Sequence, residues 1–215
     1  MKKELKKRIL SSLVLIPISF FFIIRGSEFF AFFLGVIFFI TAYEWIMMNK
    51  KSFILKFIGI IFIFFSIYYA YLFREEKGIY LFLLAIFISI FTDLGGYFFG
   101  KFFKGPKLTK ISPNKTYSGV FGSFLLSIIG AFFLVEIFLK KTQLFSMSFN
   151  ELLIFILIIS LISQLGDLVI SYFKRKAKVK DTGKILPGHG GLLDRIDGII
   201  FAIPLSYLIT NYLNI

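Results

Sequence analysis

Long apolar runs, broken by short polar and basic segments, dominate this chain. A helix needs roughly 20 apolar residues to cross the hydrocarbon core of a bilayer. Seven stretches meet or approach that length, at about 9–24, 28–46, 53–73, 79–100, 118–139, 151–173 and 196–213. The pattern predicts an all-α, polytopic membrane bundle of about seven transmembrane helices. Little remains outside these runs except connecting loops, so any chemistry falls to helix ends and loops. The first stretch follows a basic flank (Lys2, Lys3, Lys6, Lys7 and Arg8), as in a signal peptide, but Arg25-Gly26-Ser27 offers no small-x-small cleavage site. It reads as a retained helix.

Composition agrees with the pattern: 58% of the 215 residues are hydrophobic, more than a soluble domain of this size can hide. The net charge of +13 then becomes a topology signal. Lys and Arg number five in the N-terminal segment, three in 47–56, five in 101–117 and seven in 174–195, against five in all the intervening segments. Under the positive-inside rule this places the N-terminus and these loops in the cytoplasm and the C-terminus outside. A nucleic-acid binder would carry its charge on one continuous soluble face, whereas these cations sit in clusters between apolar runs, so no nucleic-acid partner is expected. The absence of cysteine excludes disulfides and thiolate metal sites.

Two of the basic loops hold more than topology requires. Residues 92–119 and 171–198 are rich in Gly and Pro, poor helix formers that permit close backbone approach. Asp167 lies in an otherwise apolar helix, where a carboxylate is costly and therefore a functional candidate; an interhelical hydrogen bond is its structural alternative. Ser163, Gln164, Ser171 and Lys174 share its face at i±3, i±4 and i+7. Asp93, at the end of the fourth stretch, shares a face with Tyr97 and Gly100.

Asp194 and Asp197 stand three apart at the start of the last helix, where acids also complement the helix dipole. Arg195 lies between them and Gly188-His189-Gly190-Gly191 lies upstream. Mg²⁺ prefers oxygen ligands, and Asp167 with Asp194 supplies a pair if the intervening loop folds back. Lys174 and Arg175 are the more plausible phosphate clamp, since a guanidinium grips phosphate in a bidentate fork; the other loop lysines fall to topology. His189, between glycines, is open to a turn-stabilising or a phosphate-contacting role. Lys115 can bind phosphate or simply add inside-positive charge at a helix entry capped by Thr116 or Ser118. Glu44 is expected at the cytoplasmic interface, outside any site, with Trp45 as an aromatic anchor.

Ser171, Lys174, Arg175, Lys180, Asp181, Gly183, Pro187, Gly188, His189, Gly190, Gly191, Asp194, Arg195 and Asp197, at these spacings, resemble the signature of the phosphatidate cytidylyltransferases, or CDP-diacylglycerol synthases. Asp93-x-x-Gly96-Tyr97-x-x-Gly100-Lys101, Ile111-Ser112-Pro113-x-Lys115-Thr116 and Gly166-Asp167-Leu168 look like further blocks of that family, and Glu44-Trp45 fits it weakly. Tyr117-Ser118-Gly119 and Ile170 depart from residues common in the family. The stretch from Glu44 to Asp93 is shorter than the family pattern by about two helices.

The resemblance implies N-terminal transmembrane helices over 1–91 and a catalytic membrane region over 92–215, with the active site on the cytoplasmic side and loops 101–117 and 174–195 around it. It implies transfer of CMP from CTP to phosphatidate with Mg²⁺, with or without a monovalent cation. Asp167 and Asp194 are the implied metal ligands. Asp197, Arg195 and His189 complete the implied catalytic set, and Lys174, Arg175, Lys115, Ser171, Asp93, Lys180 and Asp181 the substrate-binding set. The expected partners are CTP, phosphatidate and the bilayer of a bacterial plasma or inner membrane, and a homodimer is allowed. The competing class is an ion or solute transporter with intramembrane carboxylates. It predicts polar residues in both leaflets and internal repeats, and neither is seen.

Overall fold

All seven apolar stretches fall on helices in the computed structural model, which describes residues 2–109, 112, 115–139 and 147–213, the side chains of 2–8 and 138–139 excepted. The helices are α1 (Lys2–Arg25), α2 (Ser27–Met48), α3 (Phe53–Glu76), α4 (Gly78–Phe103), α5 (Tyr117–Leu134), α6 (Phe149–Lys176), α7 (Leu193–Ile196) and α8 (Ile199–Tyr212). α5 runs on into a π-helical turn over Val135–Leu139. Five are long and apolar enough to cross a membrane: α2, α3, α4, α5 with its π extension, and α6; the apolar parts of α1 and α8 are shorter. No strand forms among the described residues.

The helix starts follow from local chemistry. Ser52 and Thr116 cap α3 and α5 by accepting from the N–H groups of Leu55 and Gly119, and Ser148 with Glu151 forms a capping box on α6. Of the two caps proposed for α5, Thr116 serves. Pro17 and Pro204 sit inside helices, as membrane bundles tolerate when neighbours satisfy the freed carbonyls.

The last apolar stretch differs from expectation. It breaks after Ile196, and α8 begins only at Ile199. Asp194 therefore lies in the short α7 and Asp197 at its end, instead of both opening one long helix. Close packing accounts for the joint: a Cβ on Gly198 would stand 2.4 Å from Ser163 Oγ, and one on Gly166 2.9 Å from the Asp197 carbonyl oxygen. Backbone thus lies on backbone where α6 meets the α7–α8 joint.

Phe30, Phe73, Phe82, Ile88, Phe155 and Ile159 centre the main core. Phe39, Phe53 and Phe102 point outward and are at least 74% exposed, a pattern suited to hydrocarbon as the surrounding solvent. α4 and α5 make the closest helix pair. Gly95 approaches the Gly122 carbonyl so closely that a Cβ would meet it at 2.2 Å, and Gly119 meets the Gly96 carbonyl in the same way at 2.9 Å. Small residues let membrane helices approach to backbone contact, and here that contact brings the Asp93 end of α4 beside the Lys115 entry to α5.

Candidate active site

The loop from 104 to 116 doubles back on itself. Leu108 N–H donates to the Lys115 carbonyl at 2.8 Å, and Tyr117 N–H donates to that of Pro106 at 3.2 Å. This return carries Lys115 across to α6, where its Nζ lies 2.7 Å from Asp167 Oδ2 and 3.4 Å from the Gln164 carbonyl. Ser171, one turn on, donates to Asp167 Oδ1 at 3.2 Å. The polar face expected around Asp167 therefore exists. Asp93, Lys115, Asp167, Tyr97, Thr116 and Gln164 contribute to the wall of a polar cavity of about 300 Å³ at the basic end of the bundle.

A second cluster gathers where the 174–195 loop folds back onto α6. Lys174 Nζ lies 2.8 Å from Asp194 Oδ1 and 4.0 Å from Asp197 Oδ2. Asp194 Oδ2 accepts from the N–H groups of Thr182 at 2.8 Å and Gly191 at 3.0 Å. With 5% of its side chain exposed, Asp194 is a hub that ties two turns of the loop to a lysine. Asp197 accepts from Gly198 N–H at 3.0 Å. The two clusters adjoin: Asp197 and Asp167, Asp197 and Asp93, and Asp93 and Arg195 act on one another electrostatically. Such a cluster of mutually interacting carboxylates and cations, partly withdrawn from water, is the kind of environment in which functional sites are found.

His189 lies in the tight turn between Leu186 and Gly190, which Gly188 and Gly190 permit at φ +79° and +89°. Its carbonyl accepts from Arg195 Nε at 3.3 Å and Nη2 at 2.8 Å. Its ring reaches α1, with Ser11 Oγ 2.8 Å from Nδ1 and Ser12 Oγ 3.4 Å from Nε2. Arg175 is exposed and touches the Val179 carbonyl at 3.5 Å, and Lys180 and Asp181 are also exposed on the loop. Lys174 is turned inward between two acids, so the adjacent pair Lys174-Arg175 does not form one clamp in this state.

Two readings of the N-terminal half need correction. Glu44 is 1% exposed and sits at the centre of the 174–195 loop. Its carboxylate accepts from Leu192 N–H at 2.9 Å, Leu193 N–H at 2.8 Å and Thr182 Oγ1 at 3.2 Å. Gly183 and Gly191 press on it so closely that a Cβ on either would come within 2.6 Å of a Glu44 carboxylate oxygen. Trp45, 5% exposed, is no interfacial anchor; its Nε1 donates to the Leu55 carbonyl at 2.8 Å and its ring packs edge-on against Phe173. The signal for Glu44 was available: it is a carboxylate between apolar neighbours, the same criterion that singled out Asp167.

The sequence profile of the Cytidylyltransferase family matches residues 51–213. The chain belongs to that family. Proteins named phosphatidate cytidylyltransferase are similar to it over 132 to 177 residues. One from Staphylococcus epidermidis is 44% identical over 132 residues, covering 61% of this chain and 49% of its own length. One from Staphylococcus saprophyticus is 44% identical over 138 residues, covering 64% and 51% respectively. One from Staphylococcus aureus is 41% identical over 177 residues, covering 78% and 64%. The chain thus spans about half to two thirds of the length of the relatives it matches. The profile covers both loops and every cluster residue except Glu44 and the α1 serines, so the cytidylyltransferase match and the cavity coincide. A transporter gains no support from it.

Proposed function

We propose that this chain transfers CMP from CTP to phosphatidate, giving CDP-diacylglycerol and pyrophosphate, at the basic end of the bundle and in a bacterial plasma membrane. The observation that carries the reading is the polar cavity at Asp93, Lys115 and Asp167, set beside the Lys174–Asp194–Asp197 cluster and inside the family match. A phosphate oxygen of the lipid attacks the α-phosphorus of CTP. The new P–O bond forms as the bond from that phosphorus to the β-bridging oxygen breaks, and pyrophosphate leaves with the electron pair. The nucleophile is already an anion, so no activated Ser or Cys is required.

The work left to the protein is to bring two polyanions together. Lys115 and Lys174 are paired with carboxylates in the free site, and each gains a second anionic partner when phosphate arrives. Arg195, exposed on α7 and tied to the His189 carbonyl, lies within electrostatic range of Asp93. Preorganised cations aimed at developing phosphoryl charge are the largest lever available to such a site.

A divalent metal fits the donor set in kind. Asp167 and Asp194 supply hard oxygens, and Mg²⁺ commonly takes one or two carboxylates and completes its shell with water and substrate phosphate. No group of three or more His, Asp or Glu among the described residues forms a ready-made cage, as that mode of binding allows. Bound there, the ion would offset phosphate charge and polarise the α-phosphoryl group. Asp167, held by one lysine and one hydroxyl, is the more open ligand; Asp194 already accepts from three donors.

The test is pyrophosphate release from CTP in detergent with phosphatidate and Mg²⁺. Wild type turns over only when the lipid and the metal are both present, and Asp167→Asn loses about 10²–10³-fold. Absence of lipid-dependent turnover in wild type refutes the reading.

A further inference from the structure

His189 is held on two sides, and the two sides use different atoms. Its ring lies astride α1: Ser11 Oγ is 2.8 Å from Nδ1 and Ser12 Oγ 3.4 Å from Nε2, two consecutive positions that diverge by about 100° around a helix. Ser11 also donates to the Pro187 carbonyl at 3.3 Å. A carbonyl only accepts and a hydroxyl has one proton, so one arrangement satisfies every atom: Nδ1–H donates to Ser11, Ser11 to Pro187, and Ser12 to Nε2. Both ring nitrogens are then engaged on α1, and His189 does not line the polar cavity. Ser19, two turns further along, returns its hydroxyl to the Leu15 carbonyl, the ordinary use of a serine inside an apolar helix. Ser11 and Ser12 instead reach a loop far along the chain.

The backbone of His189 serves the site. Its carbonyl accepts from Arg195 Nε at 3.3 Å and Nη2 at 2.8 Å, so one acceptor fixes two of the three guanidinium nitrogens. Arg195 in turn acts electrostatically on Asp93 in the cavity wall. Alone, that carbonyl is a poor anchor. Gly188 at φ +79° and Gly190 at φ +89° flank it, and glycine loses the most freedom on ordering. The turn has two backbone bonds of its own, from Leu186 N–H to the Gly190 carbonyl and from His189 N–H to the Leu186 carbonyl, at 2.9 Å each. The His189 side chain ties this turn to a membrane helix. The far end of that helix is fixed in turn, where Arg74 donates to the carbonyls of Ile23 and Ile24.

We infer, on the reading above, that Ser11 and Ser12 are positioning residues for Arg195: through the His189 ring they fix the carbonyl that aims the guanidinium toward Asp93 and the substrate phosphates. His189 contributes through this bracket and not by touching substrate. An arginine already aimed gives up less side-chain freedom when phosphate binds. α1 lies outside the matched residues 51–213, so part of the support for the site is carried on a segment that the family profile does not reach.

The test is a double-mutant cycle. Ser11→Ala combined with Ser12→Ala lowers kcat/KM for CTP about tenfold in wild type, and by less than about twofold in the Arg195→Met background. Ser11→Thr combined with Ser12→Thr keeps both hydroxyls and stays within about threefold of wild type. A contribution to folding alone would cost the same factor in both backgrounds. That additive result, no loss in the alanine variant, or an equal loss in the threonine variant overturns the inference. Where Arg195→Met is too slow to assay, hydrogen exchange at the Leu186 and His189 amides decides. It rises about tenfold or more in the alanine variant and in Arg195→Met, but not in the threonine variant; unchanged exchange in the alanine variant overturns the inference. If wild type does not turn over CTP with phosphatidate, the proposed reaction fails instead, and the same exchange measurement judges the bracket by itself.

Discussion

At the end of the bundle away from the basic loops, Arg74 serves the carbonyls of Ile23 and Ile24 and pairs with Glu75 at 2.8 Å, while Tyr207 donates to Glu76 at 2.6 Å. At the basic end, Lys115 and Lys174 pair with Asp167 and Asp194 at nearly the same distances. Judged by ion pairs alone the two ends are alike. They differ in what adjoins the pairs. Arg74 fastens one helix to another, whereas Lys115 and Asp167 line a polar cavity, with further acids and Arg195 within electrostatic range. A buried charge marks a site when it borders space a ligand can enter and when its partner can be shared.

Substitutions test that contrast. The largest effect belongs to Asp167→Asn, with turnover down about 10²–10³-fold and little change in the unfolding midpoint, because Lys115 keeps the Gln164 carbonyl. Next is Lys174→Met. It leaves Asp194 and Asp197 buried without their cation, which costs about 3–5 kcal/mol of stability, read by thermal unfolding in detergent, along with most of the turnover. Glu44→Gln comes third. One carboxylate oxygen becomes an amide donor facing a backbone N–H, a loss of about 1–3 kcal/mol, and the displaced loop lowers kcat about tenfold with little change in KM for CTP. The smallest change in rate is expected from Arg74→Ala, which costs about 2 kcal/mol of stability while leaving kcat within about twofold. A large loss of kcat in Arg74→Ala, with folding intact, would erase the distinction between the two ends.

The sequence reading was strongest where signals are local. The seven apolar runs, the Thr116 cap and the Ser171–Asp167 contact at i+4 all depend on neighbours within a turn or two, and each is visible in spacing. Lys115 on Asp167 joins residues 52 apart, and nothing in the spacing specifies it. Glu44 was marked by its apolar neighbours, but its role was hidden for a related reason: its main partners are the backbone N–H groups of Leu192 and Leu193, and a backbone donor leaves no side-chain signature. The break between α7 and α8 was hidden because 196–213 was read as one apolar stretch with the acids at its start; close packing of Gly198 on Ser163 marks the joint. His189 was recognised as more than a packed residue, but its attachment to α1 requires a contact across 178 positions.

The Arg74 clasp also bears on the order of assembly. The last carbonyls of a helix have no partners within it, and for α1 two of them, on Ile23 and Ile24, are taken by a side chain about 50 residues further along. During synthesis the first helix enters the bilayer well before that arginine leaves the ribosome. Until α3 has followed, the end of α1 keeps its carbonyls in the interfacial water, and the other attachment of α1, at His189, is made later still. α1 thus precedes α3 and the 174–195 loop along the chain and depends on both for its fastenings.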